Sequence, residues 1–262
     1  MRLLAVHGKS QSGKSSLCNY IMGLEMQKLG IIDRFDVDET GKLLVNHDGF
    51  TDDSGVVFPA GMGPFDFERR DPEFLTYCAQ VIWPHCRIFS FAESLKWLAV
   101  NMLRVEPRLV YGSDDDKNSF TQYSYADITA ILPDRRATIH IKTPDKKLSG
   151  RQLLQYFGDV LRHLNNQCFI DVTMTQINES MTSLSLVSDC RRVDEIKRIR
   201  AGGGKVIHLT KKKTVPDNHN TERDTDGLKI AEHVDAVIDN AKMTQEEKQA
   251  EAFKLLQSWG WY

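Results

Sequence analysis

The residues with the clearest chemical potential form a glycine-rich stretch near the start of the chain. Gly8-Lys9-Ser10-Gln11-Ser12-Gly13-Lys14-Ser15 fits the phosphate-binding pattern G-x-x-x-x-G-K-[ST] at every defined position. The two glycines let the backbone curl around a phosphate, Lys14 would reach the β- and γ-phosphates, and the Ser15 hydroxyl would hold Mg²⁺. We therefore predict a nucleotide-binding loop, and the alternative is a glycine- and serine-rich turn before an ordinary helix.

A second group of candidate residues is Ser188-Asp189-Cys190-Arg191-Arg192, which follows the short apolar run 183–187. An acid at the end of a strand can orient Mg²⁺ or its water, and an arginine can grip a phosphate with two parallel hydrogen bonds. Charged residues also follow many strands that have no catalytic role. Asp189 and Arg191 therefore indicate a phosphoryl-transfer site only in combination with the glycine-rich loop.

Arg151 is a further candidate because it falls in the first turn of a predicted helix, where a cation opposes the helix dipole. Such a cation either serves an anionic ligand or pairs with a neighbouring acid. Three sites have the spacing of a helix capping box: Ser90 with Glu93, Ser149 with Gln152, and Thr244 with Glu247.

The elements that must position these residues alternate along the chain. Short apolar strands are predicted at 2–6, 87–91, 183–187, 205–209 and 236–238, and helical patterns separate most of them. This alternation predicts an α/β fold of the three-layer P-loop NTPase type, with an approximately five-stranded parallel sheet covered by helices on both faces. The glycine-rich loop would lie at the carboxyl edge of that sheet, where such folds bind ligands.

Several segments connect these elements. Residues 34–38 and 43–46 predict a hairpin, and 48–72 predicts a long surface loop that is either functional or a decorative insertion. Tyr111–Asn118 is predicted to be a polar loop. The polar stretch 211–226 follows a strand at the ligand edge, so we expect a mobile lid rather than a plain solvated loop.

Composition limits the class of protein. The chain has 262 residues, 41% hydrophobic content and a net charge of −2, which supports a substantial core and does not favour nucleic acid as a partner. Its five cysteines have no C-x-x-C spacing, so we expect reduced thiols in a cytoplasmic protein and no zinc site. No apolar run approaches the roughly 18–20 residues of a membrane span, and the N-terminus lacks the pattern of a signal peptide.

Seven ordered stretches together resemble the bacteriophage deoxynucleoside monophosphate kinases, a P-loop family related to other nucleoside monophosphate kinases. The matching stretches are Gly8–Ser15, Phe91–Lys96, Tyr111–Asn118, Gly150–Gly158, Asp189–Glu195, Gly203–His208 and His219–Glu222. The loop is common to many families, so the ordered set of the other stretches gives the resemblance its specificity. The chain departs from the family where Lys211-Lys212-Lys213 replaces an Arg-Pro at the start of the lid, and where Asp194 replaces a common Asn.

The resemblance implies a single kinase domain over 1–262, with a hairpin insertion at 31–72, an acceptor-binding helical region at 87–182 and a lid at 211–226. It implies transfer of the ATP γ-phosphoryl group to a deoxynucleoside monophosphate with Mg²⁺, for nucleotide supply in DNA synthesis, in the host cytoplasm if the source is viral. The residues that it assigns fall into five groups: Lys14, Asp189 and Arg191 as catalytic; Gly8, Lys9, Ser10, Gln11, Ser12, Gly13, Lys14, Ser15 and Ser16 for ATP; Lys96, Arg151, Arg191 and Glu195 for the acceptor; Lys211, Lys212, Lys213 and Glu222 for the lid; and Ser15 and Asp189 for the metal.

Other functions remain as alternatives at this stage. A P-loop kinase acting on a hydroxymethylated base in DNA would need an extended basic surface, which the net charge of −2 does not favour. A regulatory nucleotide-binding ATPase and a kinase for another small acceptor are also open, whereas a GTPase would need an Asn-Lys-x-Asp motif that the chain lacks. The sequence does not decide which base is accepted, or whether the protein is a homodimer.

Overall fold

The computed structural model describes residues 1–9, 11–51, 57–58, 60–67, 69, 71–131, 145–210 and 230–262. These residues form two compact units. Unit 1 contains Met1–Ser90 and Gln176–Tyr262, and unit 2 contains Phe91–Thr175. The strands are β1 (Arg2–Gly8), β2 (Phe35–Val37), β3 (Leu43–His47), β4 (Phe50–Thr51), β5 (Val57–Phe58), β6 (Gly61–Phe65), β7 (Cys86–Phe89), β8 (Phe120–Ser124), β9 (Lys147–Ser149), β10 (Leu184–Cys190), β11 (Lys205–Leu209) and β12 (Ala236–Ile238).

The helices follow the predicted alternation with the strands. They are α1 (Lys14–Lys28), α2 (Pro72–Tyr77), α3 (Glu93–Asn101), α4 (Arg108–Tyr111), α5 (Asp114–Asn118), α6 (Tyr125–Ile131), α7 (Gly150–Leu164), α8 (Cys168–Glu179), α9 (Val193–Ala201) and α10 (Gln245–Ser258). A π-helical stretch, Cys78–Ile82, continues α2, and a short 3₁₀ turn covers Ile230–Glu232. Among the described residues, no helix is long and apolar enough to span a bilayer.

Unit 1 is built on a five-stranded parallel sheet with the strand order β12-β11-β1-β10-β7. All five predicted strands are present, which confirms the predicted α/β fold. Strand β10 runs to Cys190, three residues beyond the predicted end, so Asp189 belongs to the strand and does not follow it.

Helices cover both faces of this sheet because side chains alternate along each strand. Leu4 and Val6 of β1 belong to the core that contains the buried face of α1 and also Leu256 of α10. Leu3, the residue before Leu4, lies on the opposite face, where α9 packs against β1 and β11. The sheet is therefore the middle layer of three.

The segment between α1 and α2 contains more sheet than we expected. The predicted hairpin is present as β2 and β3, and β6 pairs with β3 to complete a three-stranded antiparallel sheet. The expectation of a long loop over 48–72 was therefore wrong for Gly61–Phe65, and also for β4 and β5, which pair in a short antiparallel ladder. Apolar side chains such as Val37, Leu43 and Val45 bury this sheet against the core of unit 1, which explains its formation despite the glycines in β6.

Unit 2 is mainly helical. Its core contains Ala99 of α3, Val105, Leu109 and Val110 near α4, and Leu153 of α7. Strands β8 and β9 pair in an antiparallel ladder. The stretch 111–118 is not the predicted loop, because α4 and α5 cover most of it and Ser113 with Asp116 forms a capping box.

Candidate active site

The glycine-rich loop has the backbone that its sequence predicts. It joins β1 to α1, and its two glycines both have positive φ angles, 155° at Gly8 and 89° at Gly13. A Cβ on Gly8 would lie 2.6 Å from Ser12 Oγ and 2.9 Å from the Leu209 carbonyl oxygen, so a larger residue would clash. The Ser12 hydroxyl is buried and has no hydrogen-bond partner among the described residues. Ser10 lies outside the described residues.

Lys14 turns back over this loop. Its Nζ donates to the carbonyl oxygens of Gly8 at 2.8 Å and Lys9 at 2.6 Å, and the residue is only 7% exposed. The loop therefore surrounds a buried positive charge. A phosphate bound in the loop would meet this ammonium directly, as the sequence pattern predicts.

The first turn of α1 has the features of an anion-binding site. Gly13 provides no side-chain cap, and the first turn contains no acidic residue. The helix is 15 residues long, so its first backbone N–H groups and its dipole favour a negative charge at this end. Ser15 is exposed on this turn and Ser16 is buried beneath it.

Two residues that the sequence analysis missed brace the loop from the C-terminal part of unit 1. Asn240, two residues after β12, donates its Nδ2 to the Ser12 carbonyl oxygen at 2.9 Å. Lys248 of α10 donates its Nζ to Ser16 Oγ at 3.2 Å. Lys248 precedes buried Ala252 by four residues, and this helical spacing is the one signal that could have placed it on the inner face.

Asp189 is oriented by a partner from the neighbouring strand. Ser90, just after β7, donates its Oγ to Asp189 Oδ2 at 2.7 Å. Helix α3 begins at Glu93 with Ala92 as its N-cap residue, so Ser90 is not at the N-cap position that the predicted capping box requires. The Tyr111 hydroxyl donates to the Glu93 carboxylate at 3.1 Å.

Asp189 and Lys14 both lie near the buried thiol of Cys18. Both groups act on the thiol of Cys18, whose pKa rises to about 12 through burial, with Asp189 raising it further and Lys14 lowering it. Cys18 lies one helical turn after Lys14. The predicted catalytic lysine and aspartate are therefore both close to the N-terminal part of α1.

Residues 190–195 form a tight turn between β10 and α9. The carboxylate of Glu195 accepts from the backbone N–H of Arg191 at 2.7 Å and of Arg192 at 2.9 Å. Burial raises the pKa of Glu195 to about 7, although these two N–H groups act in the opposite direction. Glu195 is 5% exposed and contacts its own turn, so its predicted role in direct acceptor binding stays a prediction.

The two other predicted acceptor residues belong to unit 2. The Nζ of Lys96 is 5.1 Å from the ring centroid of Tyr111, and Arg151 forms an ion pair with Asp114 at 2.8 Å. Lys96 therefore lies near the last residue of α4, and Arg151 contacts the first residue of α5. Arg151 has the acidic neighbour that the sequence analysis considered, and its capping box of Ser149 with Gln152 is confirmed.

The residues present fit a magnesium ion that binds together with phosphates. No group of three or more His, Cys, Asp or Glu in the described part of the chain could hold a metal by itself. The predicted ligands Ser15 and Asp189 carry oxygen atoms of the kind that Mg²⁺ binds, and Mg²⁺ in phosphoryl-transfer sites uses one or two carboxylates together with substrate phosphates and water. The predicted lid residues Lys211, Lys212, Lys213 and Glu222 lie outside the described residues.

A parallel α/β sheet with a glycine-rich loop, a lysine and a helix N-terminus at its carboxyl edge defines a P-loop nucleotide-binding protein. Comparison with known protein families identifies the family within this class. The family model described as Deoxynucleotide monophosphate kinase matches residues 86–249, more than half of the chain. The protein belongs to this family of phosphotransferases. No curated protein matches the sequence. The match begins at β7, so the loop at 8–15 is an independent observation.

Proposed function

We propose that the protein transfers the γ-phosphoryl group of ATP to a deoxynucleoside 5′-monophosphate and releases ADP and a deoxynucleoside diphosphate. In this reaction an oxygen of the acceptor phosphate bonds to the γ-phosphorus while the bond to the β–γ bridging oxygen breaks. The observation that carries the proposal is the buried Lys14 ammonium inside a glycine-rich loop at the N-terminus of α1. Membership of the deoxynucleotide monophosphate kinase family supports the choice of acceptor.

The residues of unit 1 have complementary roles in this proposal. The N–H groups at the start of α1 bind phosphate oxygens, and Lys14 stabilises the negative charge that the bridging oxygen gains as its bond breaks. Arg191 grips an oxygen of the transferred or accepting phosphate. Lys14 must leave the Gly8 and Lys9 carbonyls to meet the phosphates, and the charge of the nucleotide compensates for those two hydrogen bonds.

Mg²⁺, when bound, would neutralise part of the phosphate charge, and Ser15 and Asp189 are the residues that would hold it. The Ser90 hydroxyl would keep the Asp189 carboxylate in one orientation through its 2.7 Å hydrogen bond. Lys96 and Arg151 of unit 2 are the proposed cations for the acceptor phosphate. Arg151 would then exchange Asp114 for the phosphate, and their ion pair is an exposed one that costs little to break.

The proposal is tested by a substrate panel. The protein is supplied with ATP and each deoxynucleoside or ribonucleoside monophosphate, and both ADP and the diphosphate product are measured. We expect at least one deoxynucleoside monophosphate to be phosphorylated, and no labelled phosphate to enter single-stranded or duplex DNA. Label in DNA without any free diphosphate would favour a kinase that acts on a base in DNA.

Lys14→Met is the variant that tests the loop in this assay. We expect kcat/KM to fall by at least ~10²-fold, because a preorganised charge at the transferring phosphoryl group is lost. Lys197→Met removes an exposed lysine from α9 and is the matched control, with activity equal to that of the unmodified protein. Near-normal turnover by a folded Lys14→Met protein would contradict the proposed role of the loop.

A further inference from the structure

The backbone N–H and the backbone carbonyl of Arg191 each contact a side chain of another element. Its N–H donates to the Glu195 carboxylate at 2.7 Å, and its carbonyl oxygen lies 3.3 Å from Nε2 of His7. His7 is only 2% exposed and directly precedes Gly8, the first residue of the phosphate loop. The backbone of Arg191 is therefore tied to the strand that carries the loop.

The regular ladder between β1 and β10 is interrupted at the same place. Ala5 of β1 is opposite Val187, but His7 is opposite Cys190, so β10 has one extra residue between the two pairs. Such a bulge changes the direction of nearby side chains and leaves part of the backbone without ladder hydrogen bonds. The contact from His7 to Arg191 links β1 to the residue that directly follows β10, next to this bulge.

His7 has a second partner in the strand on its other side. His208 of β11 is directly opposite His7, and their Nδ1 atoms are 2.7 Å apart. The ring centroids lie 4.8 Å apart at an angle of 41°. The two rings therefore connect three neighbouring strands, β11, β1 and β10, at the edge where the candidate active site lies.

The hydrogen-bond partners of His7 and His208 determine which nitrogen of each ring carries the proton. A carbonyl oxygen only accepts, so Nε2 of His7 must carry the proton that it donates to Arg191. Burial, then His208 and also Lys14, lower the pKa of His7 to about 4, so its Nδ1 has no proton at neutral pH. Nδ1 of His208 must then donate to it, and burial also lowers the pKa of His208.

We propose that His7 and His208 are a positioning pair that holds Arg191 in register with the phosphate loop and thereby sets kcat and the KM for the acceptor. The inference rests on the proposed function. Strand β1 supplies the loop and β10 supplies Asp189 and Arg191, and their relative position decides whether the arginine meets the phosphate. The hydrogen bond from His208 fixes the tautomer of His7, and only that tautomer can bind the Arg191 carbonyl.

Two substitutions of His208 separate this role from simple packing. His208→Leu removes the donor, whereas the amide nitrogen of His208→Asn can occupy the place of Nδ1. We expect His208→Leu to lower kcat by ~5–10-fold and raise the acceptor KM, the effect of about one hydrogen bond, with the KM for ATP within about twofold. His208→Asn should keep kcat within about threefold. His85→Leu changes an exposed histidine of unit 1 and is the control, with unchanged kinetics.

A spectroscopic measurement tests the pair even where a variant does not fold. Nitrogen-15 NMR of the histidine side chains distinguishes the two tautomers, and we expect His7 to carry its proton on Nε2 alone at pH 7. A spectrum with the proton on Nδ1 of His7 would overturn the proposal. So would equal kinetic losses in His208→Leu and His208→Asn, or wild-type kinetics in His208→Leu. Absence of activity with every monophosphate would instead count against the proposed function, and the spectrum would still test the pair.

Discussion

Acidification should destabilise the protein through His7. Burial lowers the pKa of this imidazole from 6.5 to about 4, because water cannot solvate the charged form, and the nearby His208 and Lys14 lower it further. In the unfolded chain the imidazole takes up a proton near its ordinary pKa. The stability that comes from a neutral His7 is therefore complete above pH 6.5 and is lost as the pH falls toward 4.

The size of the effect follows from the difference between the two pKa values. A change from 6.5 to about 4 corresponds to about 3.4 kcal/mol at about 1.36 kcal/mol for each pH unit. By proton linkage, about 2 kcal/mol of this is already lost at pH 5. That loss is a large fraction of the roughly 5–15 kcal/mol that stabilises an ordinary domain.

Titration of Glu195 has the opposite effect on the free energy of unfolding over the same pH range. Burial raises its pKa from 4.5 to about 7, so the stability that it contributes is complete below pH 4.5 and is lost as the pH rises through 7. The two groups largely cancel in the total stability of the unmodified protein. A comparison with a variant that lacks only the titrating imidazole is therefore required.

His7→Gln is that variant, because glutamine does not titrate and its amide can still reach the Arg191 carbonyl. Urea unfolding of both proteins at pH 7 and pH 5 gives two differences in the free energy of unfolding. We expect the advantage of the unmodified protein over His7→Gln to be smaller at pH 5 by about 2 kcal/mol. An advantage that is the same at both pH values would refute the reasoning, as would an NMR titration with a pKa of His7 near 6.5.

Three further predictions concern the reaction and the fold. Arg191→Lys should impair kcat or the acceptor KM while ATP binding is retained, because lysine cannot copy a bidentate grip on phosphate; wild-type kinetics toward every acceptor would remove Arg191 from the site. Chelation of divalent cations with EDTA should abolish turnover and added Mg²⁺ should restore it, and full activity in EDTA would exclude the metal. Tyr262→Phe should lower the free energy of unfolding by about 1–3 kcal/mol, because the Tyr262 hydroxyl donates to the buried carboxylate of Glu25 at 2.7 Å; an unchanged urea midpoint would show that this contact contributes nothing.

The sequence determined the features that depend on neighbouring residues. The glycine-rich loop is contiguous, so Gly8, Gly13 and Lys14 could be assigned their conformation and charge from residue type alone, and the structure has both glycines at positive φ. The capping boxes at Ser149 and Thr244 are equally local and are both present. The alternation of apolar strands and helices was sufficient for the parallel sheet, because only a covered sheet can bury strands that are apolar on both faces.

The tertiary structure decided every contact between residues that are distant along the chain. Asn240 and Lys248 support the phosphate loop from more than 200 residues away, and no local pattern marks Asn240 as a partner of the Ser12 carbonyl. The Ser90 and Glu93 spacing predicted a cap, but the helix begins with Ala92 as its N-cap, and the Ser90 hydroxyl donates to Asp189, a contact that depends on the pairing of β7 with β10. The histidine pair depends on the register of β1 with β11 and on one extra residue in β10. Register follows from how whole strands and helices pack, so a hydrogen bond between two strands is decided only when the sheet is assembled.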